Sequence, residues 1–181
     1  WERYEEWRWN RRNEAMGRAL ACHGFERDAE AALRAMTETE TESVVLHELG
    51  EVKAGAALGP AWENLLGDLM RTRGEIMARA VRDLYADCVS TLPGLIERRD
   101  RAAIHFYFAN FVGMRRKLFP ELAAEYLGWL RHGSLAGLER VAGNGRERWL
   151  NLAGEMLASH AHLGAKAGER IESLIDGMAA S

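Results

Sequence analysis

Apolar residues recur at intervals of three or four along most of the chain, the spacing that places side chains on one side of an α-helix. In the C-terminal part, Trp149, Ala153, Met156 and Leu163 form such a stripe. Residues 104–108 are aromatic and β-branched and would also suit a buried strand, but no second strand candidate exists to pair with them. The pattern therefore predicts an all-α bundle of six to eight helices, forming a single domain over residues 1–181.

Glycine, proline and polar runs divide this pattern into predicted elements. Gly24, Gly59-Pro60, Pro93-Gly94 and Gly133 are expected helix boundaries. The predicted helices cover residues 1–22, 27–36, 42–58, 60–92 with a kink near Gly67 or Gly74, 102–118, 120–132, a short helix capped by Ser134, and 146–178 after a turn at Gly143-Asn144-Gly145. A surface turn or a frayed join between helices is expected at Thr37–Glu42. Trp1, Tyr4 and Trp7 are expected to point away from the Trp9, Met16 and Leu20 side of the first helix.

The helix Glu42–Leu58 has little polar surface and yet carries three ionisable side chains within little more than one turn. If Val45, Leu49, Val52 and Ala56 face the core, Glu48 lies nearest to it. His47 and Glu51 then lie together on an adjoining arc, because residues four apart are neighbours on a helix surface. The small residues Gly50, Ala54 and Gly55 would let another helix approach closely.

Composition narrows the classes of function. Of 181 residues, 48% are hydrophobic and 28% charged, which is typical of a soluble globular protein. The net charge of -3 argues against nucleic acid as a partner. The run Ile104–Met114 is too short to span a membrane. Cys22 and Cys88 form no CxxC motif and are expected to be small buried hydrophobes in a reducing, cytoplasmic compartment. The chain opens at Trp1, so a segment could precede it.

The candidate chemistry rests on ionisable groups that the pattern places on buried faces, where an unpaired charge is costly. His160 lies in the middle of the C-terminal stripe, and His105 opens the most apolar helix. Asp83 and Asp87 share one helix face, where two like charges repel and need a compensating cation, either an arginine or a metal ion. The full set of candidate metal ligands is His47, Glu48, Glu51, Asp83, Asp87, His105 and His160.

Imidazole and carboxylate ligands without thiolate suit iron or manganese, and zinc less well. The segment His47-Glu-Leu-Gly-Glu51 is not the zinc-protease motif, because Glu51 stands where that motif has its second histidine. We therefore expect a divalent transition metal, with iron or manganese preferred, and a small-molecule substrate. The spacing assigns no catalytic residue.

This inventory resembles that of the haem-oxygenase-like non-haem diiron proteins, helical proteins whose site draws three histidines and three carboxylates from core helices. The residues that match by type and helix placement are His47, Glu51, Asp83, Asp87, His105 and His160. No Glu-x-x-His occurs, which departs from the neighbouring ferritin-like group. The resemblance implies a haem-oxygenase-like or ferritin-like layout and a diiron or dimanganese oxidase or oxygenase.

Two other interpretations remain open. In the first, the chain is a non-catalytic helical scaffold or dimerisation module, and each buried acid meets an arginine such as Arg79, Arg82 or Arg116. In the second, a helical pocket binds a small organic ligand or haem, with His47, His105 or His160 as axial ligand. The small residues Gly164 and Gly168 allow tight helix contact, within the bundle or across a homodimer.

Overall fold

A computed structural model describes residues 14–179, with side chains described as far as Gly177, and it confirms the predicted all-α fold. The tryptophans and tyrosine expected on the first helix, from Trp1 to Trp9, lie outside the described residues. The elements are α1 (Ala15–His23), α2 (Ala29–Leu58), α3 (Pro60–Asp68), α4 (Arg73–Ala86), a π-helix (Asp87–Thr91), α5 (Leu92–Arg98), α6 (Arg101–Asn110), α7 (Gly113–Leu118), α8 (Pro120–His132), α9 (Ala136–Leu163), a 3₁₀-helix (Gly164–Ala167) and α10 (Gly168–Ala179).

Helix α2 is one continuous element of 30 residues, about 45 Å long at 1.5 Å per residue. Asp28 caps it by accepting hydrogen bonds from the backbone N–H groups of Glu30 and Ala31. The predicted turn at Thr37–Glu42 is wrong. The hydroxyl groups of Thr37 and Thr41 donate to backbone carbonyls four residues earlier. These side chains are therefore accommodated inside the helix rather than ending it.

The face of α2 that packs on the core is not the predicted one. The buried side consists of Gly50, Ala54 and Leu58 and lies against α4 and the π-helix. A Cβ atom at position 50 would lie 2.7 Å from the carbonyl oxygen of Ala86, so the two backbones approach too closely for any side chain there. The predicted core residues Val45, Leu49, Val52 and Ala56 are exposed instead. The buried side of α2 carries small residues rather than the most hydrophobic ones, because the two backbones lie close together there.

The predicted helix over residues 60–92 is interrupted between Gly67 and Gly74, where a kink is expected, and it continues further than expected. It breaks after Asp68, and α4 begins where the Thr72 hydroxyl accepts a hydrogen bond from the N–H of Glu75. Pro93 does not end the helix, because it lies just after the π-helix and the backbone remains helical through Thr91 and Leu92, whose N–H donates to the Asp87 carbonyl. The π-helix Asp87–Thr91 joins α4 to α5.

The predicted turn at Gly143-Asn144-Gly145 is also wrong, since α9 runs through it. Gly145 packs so closely on Cys88 and Phe119 that a Cβ atom there would lie 2.6 Å from the Cys88 sulfur. Gly145 therefore serves close packing rather than a turn. The expected helix over 146–178 is instead divided at Gly164, which has a positive φ of 55°.

Other predicted features agree with the structure. Helices end or begin at Gly24, Gly59-Pro60 and Gly133, and residues 104–108 are helical. Cys88 is buried as expected, whereas Cys22 is exposed, and both are free thiols. The largest fully buried side chains include Trp62, Trp149 and Phe111, which place the core between α3, α4, α6 and α9.

The close approach of α2 to Ala86 predicts opposite effects for two glycine substitutions. Gly50→Ala should destabilise the protein by roughly 1–3 kcal/mol, because the new methyl group forces the backbones apart. Gly55→Ala should stabilise it by up to about 1 kcal/mol, because nothing lies within 4 Å of a Cβ atom there and alanine favours helix. Urea unfolding of both variants measures these changes. Equal effects would contradict the packing described for α2.

Candidate functional site

Asp87 is a buried carboxylate at the first position of the π-helix, with a side chain only 1% exposed. The Tyr107 hydroxyl donates a hydrogen bond of 2.9 Å to its Oδ2 atom, and the Arg115 guanidinium donates another of 3.0 Å to the same oxygen. His47 Nδ1 lies 3.8 Å from Oδ1. Two hydrogen-bond donors and one neighbouring imidazole, on three different helices, therefore surround one buried negative charge.

A second set of contacts extends this arrangement towards solvent. Arg82 donates to Glu51 at 3.2 Å and lies 3.4 Å from Oδ1 of Asp83. His47 Nε2 lies 3.6 Å from Oε1 of Glu51, so these two residues are neighbours as their spacing predicts. We refer to the whole group as the polar cluster: His47, Glu51, Arg82, Asp83, Asp87, Tyr107 and Arg115.

The charges of the polar cluster balance when His47 is protonated. Its three carboxylates exceed its two guanidinium groups by one negative charge. The neighbouring Asp87 carboxylate raises the pKa of His47 above its ordinary value, with smaller contributions from Glu51 and Asp83, while burial acts in the opposite direction. Burial raises the pKa of Asp83. When it is protonated, His47 is the third cation of the cluster.

The remaining predicted ligands lie elsewhere. Glu48, expected nearest the core, is exposed because α2 packs on its other side. His105 is buried, and its Nδ1 lies 2.9 Å from the Tyr126 hydroxyl, outside the polar cluster. Burial lowers the pKa of His105 to about 4. His160 pairs instead with Asp68, with Nε2 2.8 Å from Oδ2.

The donor set does not fit the diiron centre that the resemblance implies. Four of the seven predicted ligands meet in the polar cluster, but Arg82 and Arg115 already engage its three carboxylates. Within residues 14–179, no group of three or more His, Cys, Asp or Glu side chains is arranged to hold a metal ion. No step of metal chemistry follows from this geometry.

Two members of the polar cluster are not among the candidate ligands that the sequence pattern predicts. Arg115 begins the basic run Arg115-Arg116-Lys117 at a helix end, which is typical of a solvated surface, yet it reaches the buried Asp87. Tyr107 lies in the aromatic segment of α6 and donates a hydrogen bond to the same carboxylate. The sequence feature that could have indicated such a partner was Asp87, because a carboxylate on a buried face requires a cation.

The opposite side of α2 is apolar and exposed. We call Val45, Leu49, Val52 and Ala56 the outer face. Val45 is 53% exposed, Leu49 49% and Val52 70%. Among the described residues, five of the eleven large hydrophobic side chains that are exposed belong to α2, and three of these five lie on the outer face. No helix in the described part of the chain is both long and apolar enough to cross a membrane.

The charge balance of the polar cluster predicts a pH-dependent loss in a His47→Gln variant. A raised pKa means that the folded state binds this proton more tightly than the unfolded state. The stabilising contribution of His47 is therefore complete below about pH 6.5, its unfolded pKa, and disappears as pH rises through the folded pKa. Urea unfolding of the native chain and the variant from pH 5.5 to 9 measures this difference, expected to be below about 1 kcal/mol for a partly exposed pair.

The same titration in an Asp87→Asn background provides the control. Asp87 is the largest cause of the raised pKa of His47, so its loss should reduce the pH dependence of the His47→Gln effect. A difference that instead grows with rising pH would contradict the assigned role of His47.

Comparison with known proteins gives a family match. No curated protein and no solved structure matches the chain. The family model covers residues 1–178 and describes the C-terminal domain of a family of unknown function, DUF6866. Because the match extends over nearly the whole sequence, the chain belongs to the C-terminal domain of the DUF6866 family.

Proposed function

We propose that this chain is a non-catalytic helical interaction domain that binds a partner protein through the outer face of α2. The main support for this proposal is that Val45, Leu49 and Val52 are exposed on a helix whose opposite side is packed against the core. Contiguous exposed apolar residues bordered by polar ones are typical of interaction surfaces. The outer face continues as Ala56, so the apolar strip covers three turns of helix.

The polar cluster supports this function by holding α2 in place. It connects α2 to α4, the π-helix, α6 and α7 through charge-assisted contacts. Hydrogen bonds to charged groups are stronger than neutral ones and fix geometry. The arginines meet the carboxylates as the scaffold interpretation expects, although Asp87 meets Arg115 rather than Arg116, and Arg79 pairs with Glu75.

Metal binding is the second candidate, favoured by the proximity of His47 to Glu51 and Asp87. A metal ion would have to displace both arginines from their carboxylates. Manganese or ferrous iron bound to the folded state would raise the melting temperature of the native chain but not of an Asp87→Asn variant. An oxidase or oxygenase function requires that the metal raise the melting temperature of the native chain in this way.

We also propose a cytoplasmic location. The two free thiols, Cys22 and Cys88, support a reducing compartment, where disulfides are rare. The distribution of a tagged copy of the natural protein between cell fractions tests this assignment.

Site-specific photo-crosslinking tests the interaction function. A photoreactive residue at Leu49 should form one discrete product with a protein of the native cells, while the same residue at Leu127, which is equally exposed on α8, should not. The partner, identified by mass spectrometry and purified, should bind the native chain at least tenfold more tightly than a Val52→Asp variant, because burying a valine side chain is worth about 1.5 kcal/mol or more.

Two results would refute this function. One is crosslinking from Leu49 and Leu127 to the same set of proteins, which indicates non-specific contact. The other is unchanged binding of the purified partner by Val52→Asp when circular dichroism shows that the variant is folded.

A further inference from the structure

Glu40 lies on the inner side of α2, two turns before His47 and near the start of α6. The residue is half-buried, and its Oε1 atom is fully buried with no hydrogen-bond partner. Glu42 pairs with Arg98 on α5, but Glu40 has no ion-pair partner within residues 14–179. Burying an ionised carboxylate without a partner is costly. Glu40 is therefore an acid that the fold accommodates best without its charge.

The helix that faces Glu40 carries another acid. Asp100 caps α6, with Oδ1 accepting a hydrogen bond of 3.1 Å from the backbone N–H of Ala103. A carboxylate at this position also suits the positive end of the helix dipole. On α2 itself, the Ser43 hydroxyl favours the ionised form of Glu40, whereas the charge of Asp100 opposes it. Glu40 thus faces a negative charge rather than a cation.

The other titratable and charged groups around Asp100 do not supply Glu40 with a cation. His23, at the end of α1, has a buried Nε2 atom without a partner, and burial lowers its pKa. Burial raises the pKa of the neighbouring Cys22 thiol, so both side chains are uncharged at neutral pH. The Arg101 guanidinium lies 6.0 Å from the centre of the Trp129 ring. Among the described residues, Asp100 is the charged group that acts on Glu40.

These surroundings set the pH at which Glu40 ionises. Burial raises the pKa of Glu40 to about 7; the Ser43 hydroxyl opposes this shift, and the charge of Asp100 adds to it. A raised pKa means that the folded state binds the proton more tightly than the unfolded state. The stabilising contribution of protonated Glu40 is therefore complete below pH 4.5, its ordinary pKa, and is lost as the pH rises through about 7.

We propose that Glu40 makes the contact between α2 and α6 sensitive to pH: the uncharged side chain holds the first half of α2 against the start of α6, and ionisation weakens that contact. The buried Oε1 atom and the facing Asp100 carboxylate both act against a negative charge at position 40. This device does not depend on the interaction function, because Glu40 lies on the side of α2 opposite the outer face.

Amide hydrogen exchange of the native chain tests this device at its own location. The protection of residues 32–43, corrected for the intrinsic exchange rate, reports how often this part of α2 opens. It should be roughly threefold to tenfold greater at pH 6 than at pH 8, because the folded pKa is about 7 and the ordinary one is 4.5. His47 lies outside these residues, so its own titration is read separately from the second half of α2.

Matched variants assign the effect to the Glu40 carboxyl group. Glu40→Gln carries no charge at either pH, so the protection of residues 32–43 should be equal at pH 6 and pH 8, and greater than in the native chain at pH 8. Glu40→Met provides the same test without a buried amide. Glu38→Gln removes the same charge from an exposed position of α2 and should keep the native pH dependence.

A ¹³C NMR titration of the side-chain carboxyl groups measures the ionisation of Glu40 in the native chain directly. Its midpoint should lie near pH 7, and Asp100→Asn, which can still cap α6, should lower it. A Glu40 midpoint near 4.5 would overturn the inference. So would a native pH dependence of protection that persists in both Glu40→Gln and Glu40→Met, or one that Glu38→Gln removes equally.

Discussion

The buried carboxylate of Asp87 is the constraint on which the arrangement of α2 depends. A charge with 1% of its side chain exposed must be compensated, because desolvation of an unpaired ion costs several kcal/mol. The compensation comes from Tyr107 on α6, Arg115 on α7 and His47 on α2. The need to satisfy one carboxylate thus fixes the positions of three helices around the start of the π-helix.

This constraint also determines which side of α2 faces outward. With His47 and Glu51 directed towards Asp87 and Arg82, the helix packs through Gly50 and Ala54, and the larger residues Leu49 and Val52 are left exposed. Small residues permit close backbone approach and polar contact on one side of the helix. Larger apolar residues remain exposed on the other side. The polar cluster and the outer face are therefore two consequences of one orientation.

The sequence predicted the fold class and several helix boundaries because these depend on local chemistry, as at Gly24 and Gly133, where glycine adopts a left-handed conformation. It could not predict which of two apolar faces of α2 is buried. Hydrophobicity favoured Val45 and Leu49, whereas the buried side carries the contacts of His47 and Glu51 with other helices and the close approach of Gly50 to Ala86, where a Cβ atom would lie 2.7 Å from the carbonyl oxygen. The turns predicted at Thr37–Glu42 and Gly143–Gly145 were wrong because tertiary packing overrides weak local propensities.

The candidate site was predicted only in part, because its local spacing could be read from the sequence whereas its contacts between helices could not. Helical spacing placed His47 beside Glu51, and the buried pattern identified Asp87 and His105. Spacing along one helix does not determine which helices meet. The sequence therefore could not show that His105 lies beside Tyr126 and His160 beside Asp68, away from the other candidate ligands. Arg115 was overlooked because its place in a run of basic residues suggested solvent exposure.

The free energy of unfolding of Asp87→Asn, measured in urea beside Asp83→Asn, tests most directly whether Asp87 fixes the structure. Asp87→Asn leaves the cations of Arg115 and His47 without their buried partner and should lose roughly 3 kcal/mol. Asp83 is 30% exposed and its pKa is raised by burial, so its neutral replacement should change stability by less than about 1 kcal/mol. An Asp87→Asn variant as stable as the native chain, or no less stable than Asp83→Asn, would contradict the account.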